Sequence, residues 1–565
     1  MASADDWESL ARAQTGRGQA QAALESLAKA VAAGPGKART WKGIAELYAA
    51  HWRFVESDHA LEQATQLDRD DPGTQSLRAV VKQELGETAG AASVLGAARE
   101  RFPDDLRIAL GERLLLPQVY ESVADVGRWR QRYARGLASL AAEVGRWRPR
   151  AAQVFDLERN NFLLAYQGED DRDLQRQYSA FLARLAEASA PEFTAGMARR
   201  YAGNRRLRVG FAGSIFRDCT AGRYFERWIT GLDPSRFERV VYHTAPVSDA
   251  FTERISQSCE RFVALNSGTR HAAQTLRADE LDVLIHPEVG MSSMTYVLAA
   301  LRLAPVQCAG WGHPVTTGSA AIDYYFTCGD MEPPGAEDHY VERLVRLPGL
   351  GVDYAMPEAP APVTREKLRL PADGCLYVCA QSLFKIHPEM DALFADIVAA
   401  DATASLAFFQ AAARATTEQF AARLHSAFAS RGVAPRGQVK FLPRLAGPQF
   451  RGVLALADVV LDTGRWSGGN TSLDAFASGS AVVALPGRFM RGRQTAAMLS
   501  AMGLGELVAS SPEDYVRIAL DVARDRDRNA RLRREIVRRR DVLFDQHDAV
   551  DALENALLEM ARAPV

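Results

Sequence analysis

From Leu207 onward, short apolar runs alternate with stretches whose apolar positions recur at helical spacing. LRVGFAG, RVVYHT, DVLIHP, VQCAGWG and DYYFTC form one series. After the proline-rich stretch Met356 to Pro371 a second series follows, LYVCAQ, ASLAFFQ, VKFLP, ADVVLD and SAVVALP. Brief apolar runs, each followed by a helix-compatible segment, predict α/β sheets. Two series joined by one linker predict two lobes. Ligands of open α/β sheets collect outside the carboxyl ends of the strands, so a site is expected in the cleft between them.

The first hundred residues have another texture, a 34-residue internal repeat. Trp7 recurs as Trp41, Ala11 as Ala45 and Ala79, Leu27 as Leu61 and Leu95, Ala30 as Ala64 and Ala98, and Pro35 as Pro103 with Arg69 between them. That is the tetratricopeptide pattern, one helix pair per unit, with small alanines at the close contacts and Trp, Leu and Tyr48 in the seams. Neighbouring units must stack to bury these faces. Three units are about the minimum for stability, so the array should lean on the helices that follow, Glu112 to Arg200. Its concave surface is expected to select a protein or peptide; a packing or dimerisation shoulder is the other reading. The resulting map is an α-helical tetratricopeptide-like region (1–110), a helical extension (111–204), a first Rossmann-like lobe (205–365), a second (366–540) and a carboxy-terminal helix (541–565).

The segment Pro512 to Arg562 is largely helical, with Tyr515, Ile518, Ala519 and Val522 on one face and later Val542, Leu543, Ala549, Leu553 and Leu557. The basic run Arg531 to Arg540 reads as a solvated helix face with i to i+4 pairing.

Most of the chemistry lies between Leu461 and Gly487. The mostly apolar run Val453 to Leu461 predicts a buried strand, closed by Asp462 and Thr463. Ser467, Gly468, Gly469, Asn470 and Thr471 then form a turn before a helix starting near Ser472. Glycine presents no side chain to an approaching anion. A helix start offers free N–H groups and a positive dipole end, so this unit reads as a phosphate cradle.

Composition narrows the classes. A chain of 565 residues predicts three or four domains. Lys plus Arg (68) nearly balances Asp plus Glu (70), which gives no reason to expect nucleic acid or an anionic membrane as partner. No apolar run approaches the ~18 residues of a membrane span, and MASADDWESLARAQ lacks the order of a secretory signal, so a cytoplasmic placement is expected. The six cysteines include no C-x-x-C pair and read as free thiols. The Asp-x-Asp strings, Asp68-Arg69-Asp70 and Asp525-Arg526-Asp527, fall in helical surface and predict no metal site.

Leu301 to Gly351, QSLFKIHPE (Gln381 to Glu389), the SGGNTSLD cradle and GRFMRGRQTAAMLSAMGL (Gly487 to Leu504) together resemble the nucleotide-sugar-dependent protein glycosyltransferases of the O-GlcNAc transferase, SPINDLY-like and adhesin-glycosylating group, glycosyltransferase family 41. The resemblance covers nearly the whole chain. It implies a GT-B fold and inverting, metal-independent transfer of GlcNAc or a hexose from a UDP-sugar to a Ser, Thr or Asn side chain, with no cofactor beyond the donor. The acceptor protein would be held through the repeats, and a homodimer is a possible assembly. Lys385 matches the lysine that neutralises charge growing on the leaving diphosphate. Gln381 resembles the family's uridine-side or phosphate-side glutamine. Gly468, Gly469, Asn470 and Thr471, following Ser467, match the phosphate loop, Asp474 the acidic residue that holds ribose or orients that loop, and Arg493 an arginine beside it. On the acceptor side, Gly312 to Gly318 resembles the family's turn, with His313, Thr316 and Thr317 facing the sugar. His286 and Glu288, at the end of DVLIHPEVG, are titratable groups at the predicted cleft.

One departure stands out. Many relatives carry a histidine after the first strand, where this chain has Cys219. A thiol with a pKa near ~8.5 is mostly protonated at neutral pH and a poor base. Asp218, His286, a donor phosphate oxygen or Cys219 itself remain as proton acceptors. The alternatives in function are a flagellin or surface-protein transferase using a CMP-linked nonulosonic acid, and a catalytically silent tetratricopeptide scaffold.

Overall fold

The computed structural model describes residues 2–16, 19–34, 37–435 and 437–562; Pro35 of the repeat lies outside the described residues. The repeat positions are the packed ones. Helices Ala4–Gly16 and Ala20–Ala33, Ala38–Ala50 and Phe54–Leu67, and Pro72–Glu84 and Thr88–Arg101 form three successive pairs. Ala11, Ala45, Ala79, Ala30, Ala64 and Ala98 are all buried, as are Leu27, Leu61 and Leu95. A methyl side chain at these places lets one helix close on the next, and the leucines fill the space left over.

The extension continues with helices Leu106–Leu114, Val123–Ala142 and Arg172–Ser189 and the short turns Arg148–Asp156 and Phe162–Gln167. It joins both lobes. Gln175 Nε2 donates to Tyr296 Oη (2.9 Å) in the first lobe. From the second lobe, Arg465 Nη1 donates to Gly168 O (3.1 Å) and the buried Arg491 pairs with the buried Asp171 (3.2 Å).

The first lobe is built on seven parallel strands: β1 Leu207–Gly213, β2 Phe237–His243, β3 Arg261–Ala264, β4 Val283–His286, β5 Val306–Ala309, β6 Tyr324–Cys328 and β7 Arg343–Leu347, in the order β3-β2-β1-β4-β5-β6-β7. Phe211 lies beside Val241 on one flank and Ile285 on the other. The second lobe has five parallel strands, β8 Leu376–Cys379, β9 Ser405–Phe409, β10 Val439–Leu442, β11 Val459–Leu461 and β12 Val482–Val483, in the order β10-β9-β8-β11-β12. Strand order reverses between β1 and β4 and again between β8 and β11. The loops leaving these strands therefore diverge and open a crevice.

The chain differs locally from the expectation. Val453 to Leu456 belong to the helix Gly447–Leu456 and only Val459–Leu461 form the strand, because the buried end of that helix runs directly into β11 with no polar break. The cradle helix begins at Asn470, two residues before the expected Ser472. Tyr515, Ile518, Ala519 and Val522 are buried as expected, but Val542 is 46% exposed. The final helix, Asp548–Arg562, returns to the first lobe, where Glu554 accepts from Asp233 N (2.6 Å) and pairs with Arg236. Its approach crosses the interlobe connection: Asp545 N donates to Tyr354 O (2.9 Å), and His547 Nδ1 lies 2.6 Å from Asp353 Oδ2.

Candidate functional site

At the end of β11 the chain turns on Asp462. Its buried carboxylate accepts from Gly468 N (2.6 Å) and Ser467 Oγ (2.7 Å), and burial raises its pKa to about 6. Ser467 also accepts from Thr495 N (2.9 Å). This network folds the glycine loop back so that helix Asn470–Ala477 starts against open space. A Cβ on Gly468 would stand 2.3 Å from Ser472 Oγ, and one on Gly469 2.4 Å from Tyr224 Oη. Both positions therefore demand glycine for close approach. Gly469, Asn470 and Thr471 have backbone N–H groups with no acceptor among the described residues, as a helix start requires.

Asp474 stands one turn in. It accepts from Asn470 Nδ2 (2.7 Å) and Arg451 Nη1 (3.3 Å), and burial raises its pKa. Its oxygens thus hold the loop in place. Arg493 donates to Gly487 O (3.3 Å) and braces the neighbouring turn.

On the other side of the switch point, β8 delivers Gln381 and Lys385. Gln381 is buried and its amide donates to Trp466 O (3.2 Å). Lys385 closes the short turn Leu383–Lys385 and has no carboxylate partner among the described residues. Its Nζ stands 5.5 Å from the Trp466 ring and 5.9 Å from those of Tyr166 and Phe384. Desolvation lowers its pKa to about 8, so the ammonium form predominates at neutral pH while an anionic partner is lacking.

The first lobe faces this with groups from its own switch point. His313 is buried, stacked on Phe162 at 5.3 Å, and burial, aided by Arg491 and Lys385, lowers its pKa to about 3. Its Nε2 has no partner among the described residues. Thr316 and Thr317 are also buried, and both hydroxyls donate to Glu342, so they shape the turn. His286 is buried at the end of β4 with both ring nitrogens unpartnered among the described residues; burial lowers its pKa to about 4.

Glu288 sits at the crevice floor, accepting from Met291 N (3.0 Å), the half-buried Ser214 Oγ (3.1 Å) and Thr295 Oγ1 (3.5 Å). Burial pushes its pKa up to about 7 despite these bonds. Cys219 caps helix Thr220–Thr230, accepting from Gly222 N (3.4 Å), and burial raises its thiol. Asp218 is exposed and paired with Arg223 (2.8 Å).

The two switch points thus bring an ammonium, an open helix start and a neutral-range carboxyl group to one interlobe crevice. Residues 182–350 and 351–553, well over half the chain, match glycosyl transferase family 41. The chain belongs to that family. Over 405 residues it is 26% identical to the probable UDP-N-acetylglucosamine–peptide N-acetylglucosaminyltransferase SEC of Arabidopsis thaliana, covering 69% of this chain and 41% of that protein. It is 26% identical over 329 residues to a SPINDLY protein of the same printed activity from rice (Oryza sativa subsp. japonica), covering 57% of this chain and 35% of the relative. The chain thus spans about two fifths or less of these relatives' length. A solved point mutant of the Thermobaculum terrenum O-GlcNAc transferase superposes with a TM-score of 0.70 at 25% identity, covering 99% of this chain and 97% of that one.

Several residues of this family 41 site carried no local sequence signal. Phe162 and Tyr166 come from the helical extension and, with Phe384 and Trp466, wall the crevice around Lys385. Tyr354 reaches Asn470 from the interlobe connection. Among the described residues no group of three or more His, Cys, Asp or Glu is arranged to hold a metal, and no helix is long and apolar enough to cross a membrane.

Proposed function

We propose that this family 41 protein transfers a sugar from a UDP-sugar to a protein side chain, with inversion at the anomeric carbon. The observation that carries the reading is the pairing of Lys385, an ammonium without a carboxylate partner, with the open start of the Asn470–Ala477 helix at the interlobe crevice. A diphosphate placed there meets a cation and free N–H groups together. As the bond from the anomeric carbon to the phosphate oxygen breaks, the charge arriving on UDP is stabilised by both. The acceptor oxygen or nitrogen forms the new bond to that carbon, and its proton passes to Glu288 by way of Ser214, whose Oγ lies between the crevice and the carboxylate. The printed activities of SEC, SPINDLY and the Thermobaculum enzyme favour GlcNAc as the sugar.

The acceptor would enter along the repeats. A cavity of about 540 Å³ lies where they meet the first lobe, lined by Arg12, Arg39, Lys42 and Glu46 on one side and Pro246 and Asn266 on the other.

Calorimetric titration with UDP and with CMP tests the reading. Micromolar UDP binding that weakens roughly 10- to 150-fold in Lys385→Ala, about 1.5–3 kcal/mol for a hydrogen bond to a charged group, supports it. Binding of CMP in place of UDP points to the nonulosonic-acid alternative. Binding of neither leaves the scaffold reading, which Cys219 favours because its protonated thiol is occupied as a helix cap.

A further inference from the structure

Tyr224 belongs to the first lobe, on helix Thr220–Thr230, and none of the sequence motifs includes it. It is 5% exposed, and its hydroxyl has no hydrogen-bond partner among the described residues. A buried phenol without a partner is uncommon, because the lost hydration is not replaced. Tyr515, which is also buried, donates to Asp462 O at 2.8 Å. The side chain is also fixed in direction. Its ring packs against Trp311 at 4.8 Å and Tyr354 at 5.3 Å, with Phe225 at 6.4 Å, so the hydroxyl is held where it stands. That place is the far lobe's phosphate loop: a Cβ built on Gly469 would lie 2.4 Å from Tyr224 Oη.

Resting on the donor-site reading above, we propose that Tyr224 is a donor-binding residue whose hydroxyl donates to the diphosphate at the start of helix Asn470–Ala477. The unpartnered hydroxyl and the unpartnered N–H groups of the loop come from opposite lobes and converge on one spot, and one phosphate oxygen set satisfies both. Burial, with Tyr354 and Asp474 adding, holds the phenol above its ordinary value, so it keeps its proton and acts as donor. The diphosphate then bridges the lobes, and the first lobe senses the donor before any acceptor arrives.

The test is titration of wild type and Tyr224→Phe with UDP, together with their melting temperatures without ligand. Phenylalanine keeps the ring contacts and deletes the hydroxyl. The expected result is about tenfold weaker UDP binding, equal to about 1.4 kcal/mol, at an unchanged melting temperature. Equal UDP affinities overturn this proposal and leave the donor site standing. A loss of affinity that comes with an equal loss of stability also overturns it, since the hydroxyl would then serve the fold. If wild type binds no UDP, the donor-site reading falls first and takes this one with it.

Discussion

Tyr354 donates a hydrogen bond from its hydroxyl to Oδ1 of Asn470, joining the interlobe connection to the first residue of the cradle helix. Asn470 in turn donates to Asp474, which is held by Arg451. The chain crossing between the lobes and the phosphate loop are thus one hydrogen-bonded unit. Tyr354→Phe is expected to weaken UDP binding about fivefold, about 1 kcal/mol for a lost hydrogen bond that leaves Asn470 Oδ1 unpaired. Titration checks this; unchanged affinity would show that Asn470 needs no outside support.

Gly469→Ala places a methyl group 2.4 Å from Tyr224 Oη and 2.5 Å from Gln494 Oε1. Both neighbours are buried and neither can retreat freely. The loop must move instead, so UDP affinity should drop more than about tenfold, roughly the 1–3 kcal/mol cost of overpacking. Gly505→Ala, with nothing within 4 Å of the new methyl group, serves as the neutral control. If both variants bind like wild type, the cradle has slack that the geometry does not suggest.

The pH profile of transfer has a stated sign. Glu288, held up near 7, is neutral below that value and accepts a proton only above it. Lys385, held down near 8, loses its charge above that value and with it the hold on phosphate in the free protein. The acid limb of kcat/KM is therefore expected near pH 7 and the alkaline limb near pH 8, a narrow bell. Glu288→Gln should abolish the acid limb and cut kcat by about a hundredfold or more while UDP still binds. Survival of the acid limb in that variant transfers the role to His286 or to a donor phosphate.

Much of this could be read from residues alone, and the gaps have physical causes. Strands β1 and β8 announce themselves because they are central and apolar. Strand β3, Arg261–Ala264, and strand β7, Arg343–Leu347, were missed because they are edge strands, and Arg261 and Arg343 are exposed. An edge strand needs only a half-apolar face, so its run looks like loop. Lys385 and the glycine loop were legible since each sits in a continuous motif. Tyr224, Tyr354, Phe162 and Tyr166 were not, because they reach the crevice only through tertiary packing, Tyr354 from 116 positions away from its partner.

Cys219 provides a sharper discrimination. Its Sγ accepts weakly from Gly222 N at 3.4 Å, a place where a serine hydroxyl caps better. Cys219→Ser should raise stability by about 0.5 kcal/mol and keep transfer within about tenfold of wild type. A loss beyond roughly a thousandfold, about 4 kcal/mol of barrier, would instead assign the thiol a part in the reaction.

Phe162 and Tyr166 place the wall of the crevice in the helical extension, whereas the repeat pairs end at Arg101 without contributing a ring to it. The natural seam for exchanging one recognition module for another therefore lies after the third pair and before Leu106. A recombination made at the start of β1 would graft new specificity onto a catalytic half with its wall removed. A lineage that diversifies its targets can vary the first hundred residues freely, while residues 106–193 are bound to the fate of the chemistry.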